Sequence, residues 1–233
     1  MTRRRWIADE VYGSRAALVG EHARHLALVL RARVGQEFDI VAGDRVREAR
    51  ISSIDDQRIE FDLGAELPTP AAPDLTVVIS IFKFDRMEWA IEKCTELGVS
   101  RIVPLVARRS EKHLAASAGK RVERWRRIAA QAAEQSRRPS APQIAEPIEL
   151  KAAVALAGAS RILLAESEQH VMLSDVVLAP QVVLAFGPEG GWTDGEINLF
   201  RDSGWTTASL GPTILRAETA AIAATAIVIS EMA

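Results

Sequence analysis

Apolar positions change their period once along this chain, and the change divides it in two. In HLALVLR (residues 25–31), Leu26, Val29 and Leu30 fall at helical spacing, whereas FDIVAG, VREARISSI and RIEFDL alternate apolar and polar side chains as half-buried strands do. The turns Ala42-Gly43-Asp44 and Asp55-Asp56-Gln57 carry residue types that tolerate tight-turn geometry, so neighbouring strands should pair antiparallel. A small β-barrel with one helix is predicted. GAELPTPAAPDL (64–75) interrupts the pattern, because Pro68, Pro70 and Pro73 lack amide donors and disfavour both helix and central strand. Beyond this linker, continuous apolar runs replace alternation: LTVVISIF (75–82), RIVPLV (101–106), RILLAE (161–166), QVVLAF (181–186) and WTTASL (205–210). Amphipathic helices are expected over RMEWAIEKCTELG (86–98) and GKRVERWRRIAAQAAEQSRR (119–138), with others near 149–157, 194–203 and 217–230. Strands buried on both faces and alternating with helices imply a parallel sheet. The expected organisation is a β-barrel domain over residues 1–72 and an α/β domain over 73–233.

Composition changes this picture only through its distribution. With 48% hydrophobic and 26% charged residues, the chain is ordinary for a globular protein. No apolar stretch reaches the roughly 20 residues that span a bilayer, and Asp9 and Glu10 stand where a signal peptide needs an apolar run. The single cysteine, Cys94, and 4 scattered histidines provide neither an internal disulfide nor metal-ligand spacing. A cytosolic protein without a metal is therefore expected. The net charge of −2 hides a strong polarity: residues 101–138 hold 11 basic and 3 acidic side chains, residues 139–233 hold 4 and 11. A basic segment of that density attracts phosphate irrespective of sequence. In the helix at 119–138, Val122, Trp125, Ala129 and Ala132 follow one face and Lys120, Arg121, Arg124 and Arg127 fall largely on another. Arg137 and Arg138 close that helix before Pro139. These cations, with Arg3, Arg4 and Arg5, are candidate RNA contacts, the alternative being a solvated face. Trp125 and Cys94 are expected to pack in the core.

Ligands of parallel sheets bind beyond the carboxyl ends of strands. Two loops stand out there. FGPEGGWTDGEI (186–197) sets Gly187, Gly190 and Gly191 around Pro188 and Glu189, and then starts a helix with Thr193 as a potential cap. It fits neither a dinucleotide fingerprint nor a phosphate loop. SLGPTILRAETAAIAATAIVIS (209–230) enters a helix whose only charge after Arg216 is Glu218, so that helix should be buried nearly all round. Charges at its start must pair or meet a ligand.

GPEGGWTDGEI together with LGPTILRAETAAIAA resembles the paired carboxy-terminal signatures of SPOUT-class RNA methyltransferases, specifically the ribosomal RNA small subunit methyltransferase E family. RMEWAIEKCTELGVSRIVPL and RWRRIAAQAAEQSRRPSAPQI are similar to that family's central segments, and HLALVLRARVGQEFDI resembles its amino-terminal PUA-like domain. The resemblance implies an α/β fold with a trefoil knot, preceded by a small PUA-like barrel. It implies S-adenosylmethionine as cofactor, held by Leu164, Phe186, Gly187, Glu189, Gly190, Gly191, Ser209, Leu210, Gly211, Ile214 and Leu215. The reaction implied is methylation of a uridine N3 in 16S ribosomal RNA of the small subunit by a homodimer. Arg216 is the candidate for stabilising charge on the uridine, with Glu218 or Glu189 accepting the proton or holding Arg216. In RRSEKH (108–113), Arg108 stands where relatives usually carry an acidic residue, and Arg108 and Arg109 join the candidate RNA contacts. A 2′-O-ribose methyltransferase and a silent RNA-binding assembly factor stay open as alternatives.

Overall fold

A computed structural model describes residues 5–43, 45–68 and 73–232, so Arg3 and Arg4 lie outside the described residues. The chain forms two compact units, residues 1–71 with 134–140, and residues 72–133 with 141–233. The segment 134–140 thus departs from a single cut near residue 72.

In the first unit, β1 (Arg5–Ile7), β2 (Glu10–Tyr12) and β3 (Arg15–Val19) precede α1 (Gly20–Arg24), which continues as a π-helical turn over His25–Val29. The helix therefore starts earlier than Leu26 implied. The alternating runs form β4 (Glu37–Ala42), β5 (Arg45–Asp55) and β6 (Arg58–Glu66), within a sheet of order β1-β4-β5-β6-β3-β2 whose pairs are antiparallel except β1 with β4, which is parallel. Trp6 lies opposite Ile40, and Val11 opposite Ala16. One short segment therefore supplies both edge strands of the sheet, each only 3 residues long, and short edge strands limit pairing with other chains. Leu18, Leu26, Ile40, Ile51, Ile59 and Phe61 fill the interior. Among the described residues, Arg31 (φ 51) and Arg137 (φ 59) are the non-glycine residues with left-handed backbone, each two positions past a helix end, at Val29 and Gln135. That conformation costs a side-chain-bearing residue about 1 to 3 kcal/mol.

The second unit contains β7 (Asp74–Ser80), α2 (Phe84–Leu97), β8 (Arg101–Val106), α3 (Lys112–Ser117), α4 (Val122–Gln135), β9 (Gln143–Ile144), β10 (Ile148–Glu149), α5 (Leu150–Val154), β11 (Ser160–Leu164), β12 (Gln181–Phe186), α6 (Asp194–Asp202), β13 (Thr206–Ala208) and α7 (Ala217–Met232). All its strand pairs are parallel, in the order β10-β8-β7-β12-β11-β13 with β9 beside β8. Leu75, Val77 and Ile79 face one core with Met87, Ile91, Trp125, Ala221 and Val228. Val78, Val103, Leu163 and Val183 face another with Ala153, Phe200 and Trp205. Burial on both faces is why these strands read as unbroken apolar runs.

The helix expected over 119–138 is instead a 3-10 turn at Ala118–Arg121 followed by α4, which ends at Gln135, and the separate short helix α3 precedes the turn. Gly119 is a poor helix former, and the Ser117 hydroxyl donates back to His113 O at 2.7 Å. The last helix also differs from expectation. Ala217, Glu218, Ala221, Ala224, Thr225 and Val228 are buried, whereas Thr219, Ala226 and Ser230 are exposed. Its apolar character comes mostly from alanine, which needs no burial to be helical.

Candidate active site

Leu164, Phe186 and Ala208 end three adjacent strands, β11, β12 and β13, and together line a cavity of about 380 Å³. That volume is typical of small-molecule sites, which run from about 300 to 1,000 Å³. Gly187, Glu189, Gly191, Ser209, Leu210, Gly211, Ile214, Leu215 and Arg216 also line it, as do Arg86 and Glu166. Gly190 and Glu218 do not. A Cβ at Gly190 would instead meet Arg109 Cβ and Cδ at 3.4 Å.

Segment 187–193 is held from several sides. Gly191, at φ 67, donates to Pro188 O at 2.8 Å, and a Cβ there would stand 3.0 Å from Glu166 Oε1. Both the left-handed backbone and the close approach of Glu166 favour glycine. The Trp192 indole is buried and donates to Leu164 O at 2.9 Å, tying the loop to the end of β11. Thr193 and Glu196 form a reciprocal capping box at the start of α6. Glu196, 1% exposed, also accepts from the Arg108 amide at 2.8 Å. Arg109 Nη1 donates to Gly190 O at 2.8 Å and Trp192 O at 3.2 Å. The structure thus engages the Arg109 guanidinium with protein carbonyls, while the Arg108 side chain is exposed.

Segment 209–216 is anchored at its start, and Leu210 packs against the core. Ser209 bridges Met172, donates its amide to Val171 O at 2.9 Å and accepts from the Leu173 amide at 2.9 Å. Gly211, at φ 124, has open space where a Cβ would project, and Pro212, Thr213 and Ile214 are exposed.

Four charges at or beside the cavity separate in their partners. Arg86 Nη1 contacts Glu189 Oε1 at 2.9 Å and its Nε lies 3.8 Å from Glu218 Oε1. Glu218 is 3% exposed, and its Oε2 is buried without a hydrogen-bond partner. Arg216 is exposed and makes no ion pair among the described residues. The expectation that Glu218 or Glu189 holds Arg216 is therefore corrected: both face Arg86. Sequence reading missed Arg86 and Glu166, although they follow β7 and β11 and the strand-end rule applies to those loops as well.

Along α4, Trp125 is buried against Phe84 with ring centroids 6.0 Å apart. Arg124 forms a two-pronged pair with Glu88 at 2.6 and 2.7 Å, and Arg121 lies 4.8 Å over the Phe84 ring. Lys120, Arg127 and Arg137 are exposed. Burial lowers the pKa of Arg138, and burial pushes the Cys94 thiol up to about 12. Among the described residues no group of three or more His, Cys, Asp or Glu could hold a metal ion, and no helix is long and apolar enough to cross a membrane.

An RNA methyltransferase domain model matches residues 69–229, and an RNA methyltransferase PUA domain model matches residues 19–64. The chain is 33% identical over 224 residues to a ribosomal RNA small subunit methyltransferase E from Synechocystis sp., covering 91% of this chain and 72% of that one. A protein of the same name from Aquifex aeolicus is 30% identical over 214 residues, covering 87% and 89%. Among solved structures, a ribosomal RNA small subunit methyltransferase E from Neisseria gonorrhoeae, bound to S-adenosyl methionine, superposes with a TM-score of 0.79 at 29% identity and 98% coverage of both chains.

Proposed function

The chain belongs to the ribosomal RNA small subunit methyltransferase E family, and on that premise we propose that it methylates N3 of a uridine in 16S ribosomal RNA of the small subunit with S-adenosylmethionine. The carrying observation is the cavity itself, with two glycine loops and one unpaired arginine at the ends of three parallel strands. Its shape and chemistry fit that cofactor. Apolar Leu164, Phe186 and Leu210 suit an adenine ring, and the backbone of 187–191 and 209–215 allows close approach. Glu166 offers an acceptor for hydroxyls. When bound, S-adenosylmethionine supplies an electrophilic methyl group and is left as S-adenosylhomocysteine.

The remaining work falls to this chain. Uridine N3 must lose its proton, which places negative charge on the flanking carbonyl oxygens. Arg216, which has no carboxylate partner among the described residues, can meet that charge with its planar fork of donors. Arg86 holds Glu189 and neighbours Glu218, so Glu189, which lines the cavity, can take the proton while remaining oriented, and Glu218 acts from behind it by positioning Arg86. The base must be flipped out or already unpaired to reach the site. Lys120, Arg121, Arg124, Arg127, Arg108 and Arg109 in the second unit, and Arg137, Arg138, Arg3, Arg4 and Arg5 in the first, are candidate RNA contacts.

The same reading includes a cytoplasmic homodimer, domains divided near residue 72, and a trefoil knot around the cofactor loops. Incubating unmodified small subunits with the protein and S-adenosylmethionine, then analysing digested nucleosides by mass, should yield 3-methyluridine. A 2′-O-methylated nucleoside would transfer the reading to ribose chemistry, and no methylated product would favour an assembly factor.

A further inference from the structure

The first unit contains a second cavity, of about 420 Å³, walled in part by Arg5, Trp6, His25, Leu30, Glu134 and Arg137. Its chemistry differs from the strand-end cavity. The Trp6 ring lies 5.9 Å from that of His25 and 6.3 Å from that of His22, so a cluster of π-faces borders the space. Leu30 adds an apolar wall, and Arg5 and Arg137 bring two guanidinium groups. The one carboxylate among these residues is already engaged, because Glu134 Oε1 lies 2.7 Å from His22 Nε2. His22 Nδ1 in turn lies 2.9 Å from Asp9 Oδ1, and Asp9 Oδ2 accepts from the Val19 amide at 2.8 Å. This relay fixes the end of α4 against β3, so the wall is built before any ligand arrives.

Arg137 adds an independent argument. Its φ of 59 is a conformation for which helix ends ordinarily use glycine. An arginine there carries a backbone cost that glycine would avoid, and its exposed guanidinium is placed at the cavity wall. Favourable interaction with the helix dipole rewards a cation anywhere in the last turn and does not require this strained position.

We propose that this cavity grips one single-stranded nucleotide of the RNA substrate, its base against Trp6 and its phosphate between Arg5 and Arg137. The proposal rests on the RNA methyltransferase reading and adds a hold on RNA separate from the transfer site. Stacking on an aromatic face tolerates any base, whereas the paired guanidinium groups require a phosphate.

The test uses the full-length protein and a fluorescein-labelled, single-stranded oligouridylate octamer, titrated by anisotropy over a salt series. Arg137→Gly should weaken binding at least about fivefold and reduce the log-log salt slope by about 0.7. Its melting temperature should hold or rise, since glycine accepts the left-handed backbone. Trp6→Leu should weaken binding about tenfold, and both variants should keep wild-type affinity for S-adenosylmethionine. An unchanged affinity and slope in Arg137→Gly would make residue 137 a helix terminator only and overturn the proposal. A loss in Arg137→Gly with none in Trp6→Leu would leave a simple anion site, which also overturns it. Should Trp6→Leu not fold, photo-crosslinking of a 4-thiouridine octamer to the wild-type protein decides, and absence of adducts on residues 5–7 and 25–30 counts against the site. Nucleoside analysis of methylated subunits is a separate readout: 3-methyluridine with indifferent binding sinks this cavity alone, and dependent binding without methylation sinks the transfer reading alone.

Discussion

Segments 187–193 and 209–216 both leave a parallel strand, border the same cavity and end in a helix, yet they are held in opposite ways. The first is tied down by the Trp192 indole, the Arg109 guanidinium and the Thr193–Glu196 box. The second is fixed at Ser209 and then runs exposed through Ile214, which is 81% accessible. The braced wall is preorganised, so little ordering remains there on binding, whereas the exposed wall leaves ordering to be completed when a ligand enters. The carboxylates follow the same division from the arginines' side. Arg86 is committed to Glu189 and Glu218, and Arg216 remains uncommitted on the open segment.

The sharpest way to break this contrast is at Arg216. Arg216→Lys should slow single-turnover methyl transfer about ten- to a thousandfold with cofactor affinity little changed, because one ammonium cannot reproduce a planar fork of donors. A near-normal rate would show that the uncommitted cation is not used in chemistry. Next is the braced side. Glu196→Ala removes a buried acceptor for the Thr193 and Arg108 amides, and a thermal melt should record a loss of about 2 to 3 kcal/mol. A smaller effect is expected for Arg109→Ala, whose side chain grips the back of the glycine loop. Calorimetric titration should find S-adenosylmethionine binding weakened roughly tenfold, as for loss of one charge-assisted hydrogen bond. The smallest effect belongs to Gly190→Ala: the new methyl would meet only the Arg109 stem at 3.4 Å, and affinity should stay within about twofold. A large loss there would restore residue 190 to the cavity.

These residues also show what a sequence can and cannot disclose. Strands β4, β5 and β6 were legible because alternation persists over 6 to 11 residues, while β1 and β2 span 3 residues each and carry no measurable period. The glycine loops were legible because their need is local, a backbone left bare beside a strand end. Arg86 and Arg109 were not, since their partners lie 103 and 81 residues away and only the folded sheet brings them together. The relation of Arg216 to its neighbouring carboxylates was hidden for the same reason. Sequence proximity placed Glu218 beside it, but the first turn of α7 points the carboxylate inward to Arg86 and leaves Arg216 outside.

The position of β12 between β7 and β11 has a consequence in time. The Gln181 amide donates to Asp74 Oδ2 at 2.9 Å across the first register pair of β7 and β12, joining residues 107 positions apart. No local hairpin can nucleate that pair, so the middle of the sheet forms only after a long loop closes, and contact order of this kind slows folding. In the first unit, β4, β5 and β6 pair with immediate neighbours through tight turns. On refolding, the barrel should therefore gain protection from hydrogen exchange first, and the cavity at the ends of β11, β12 and β13 should come into being last.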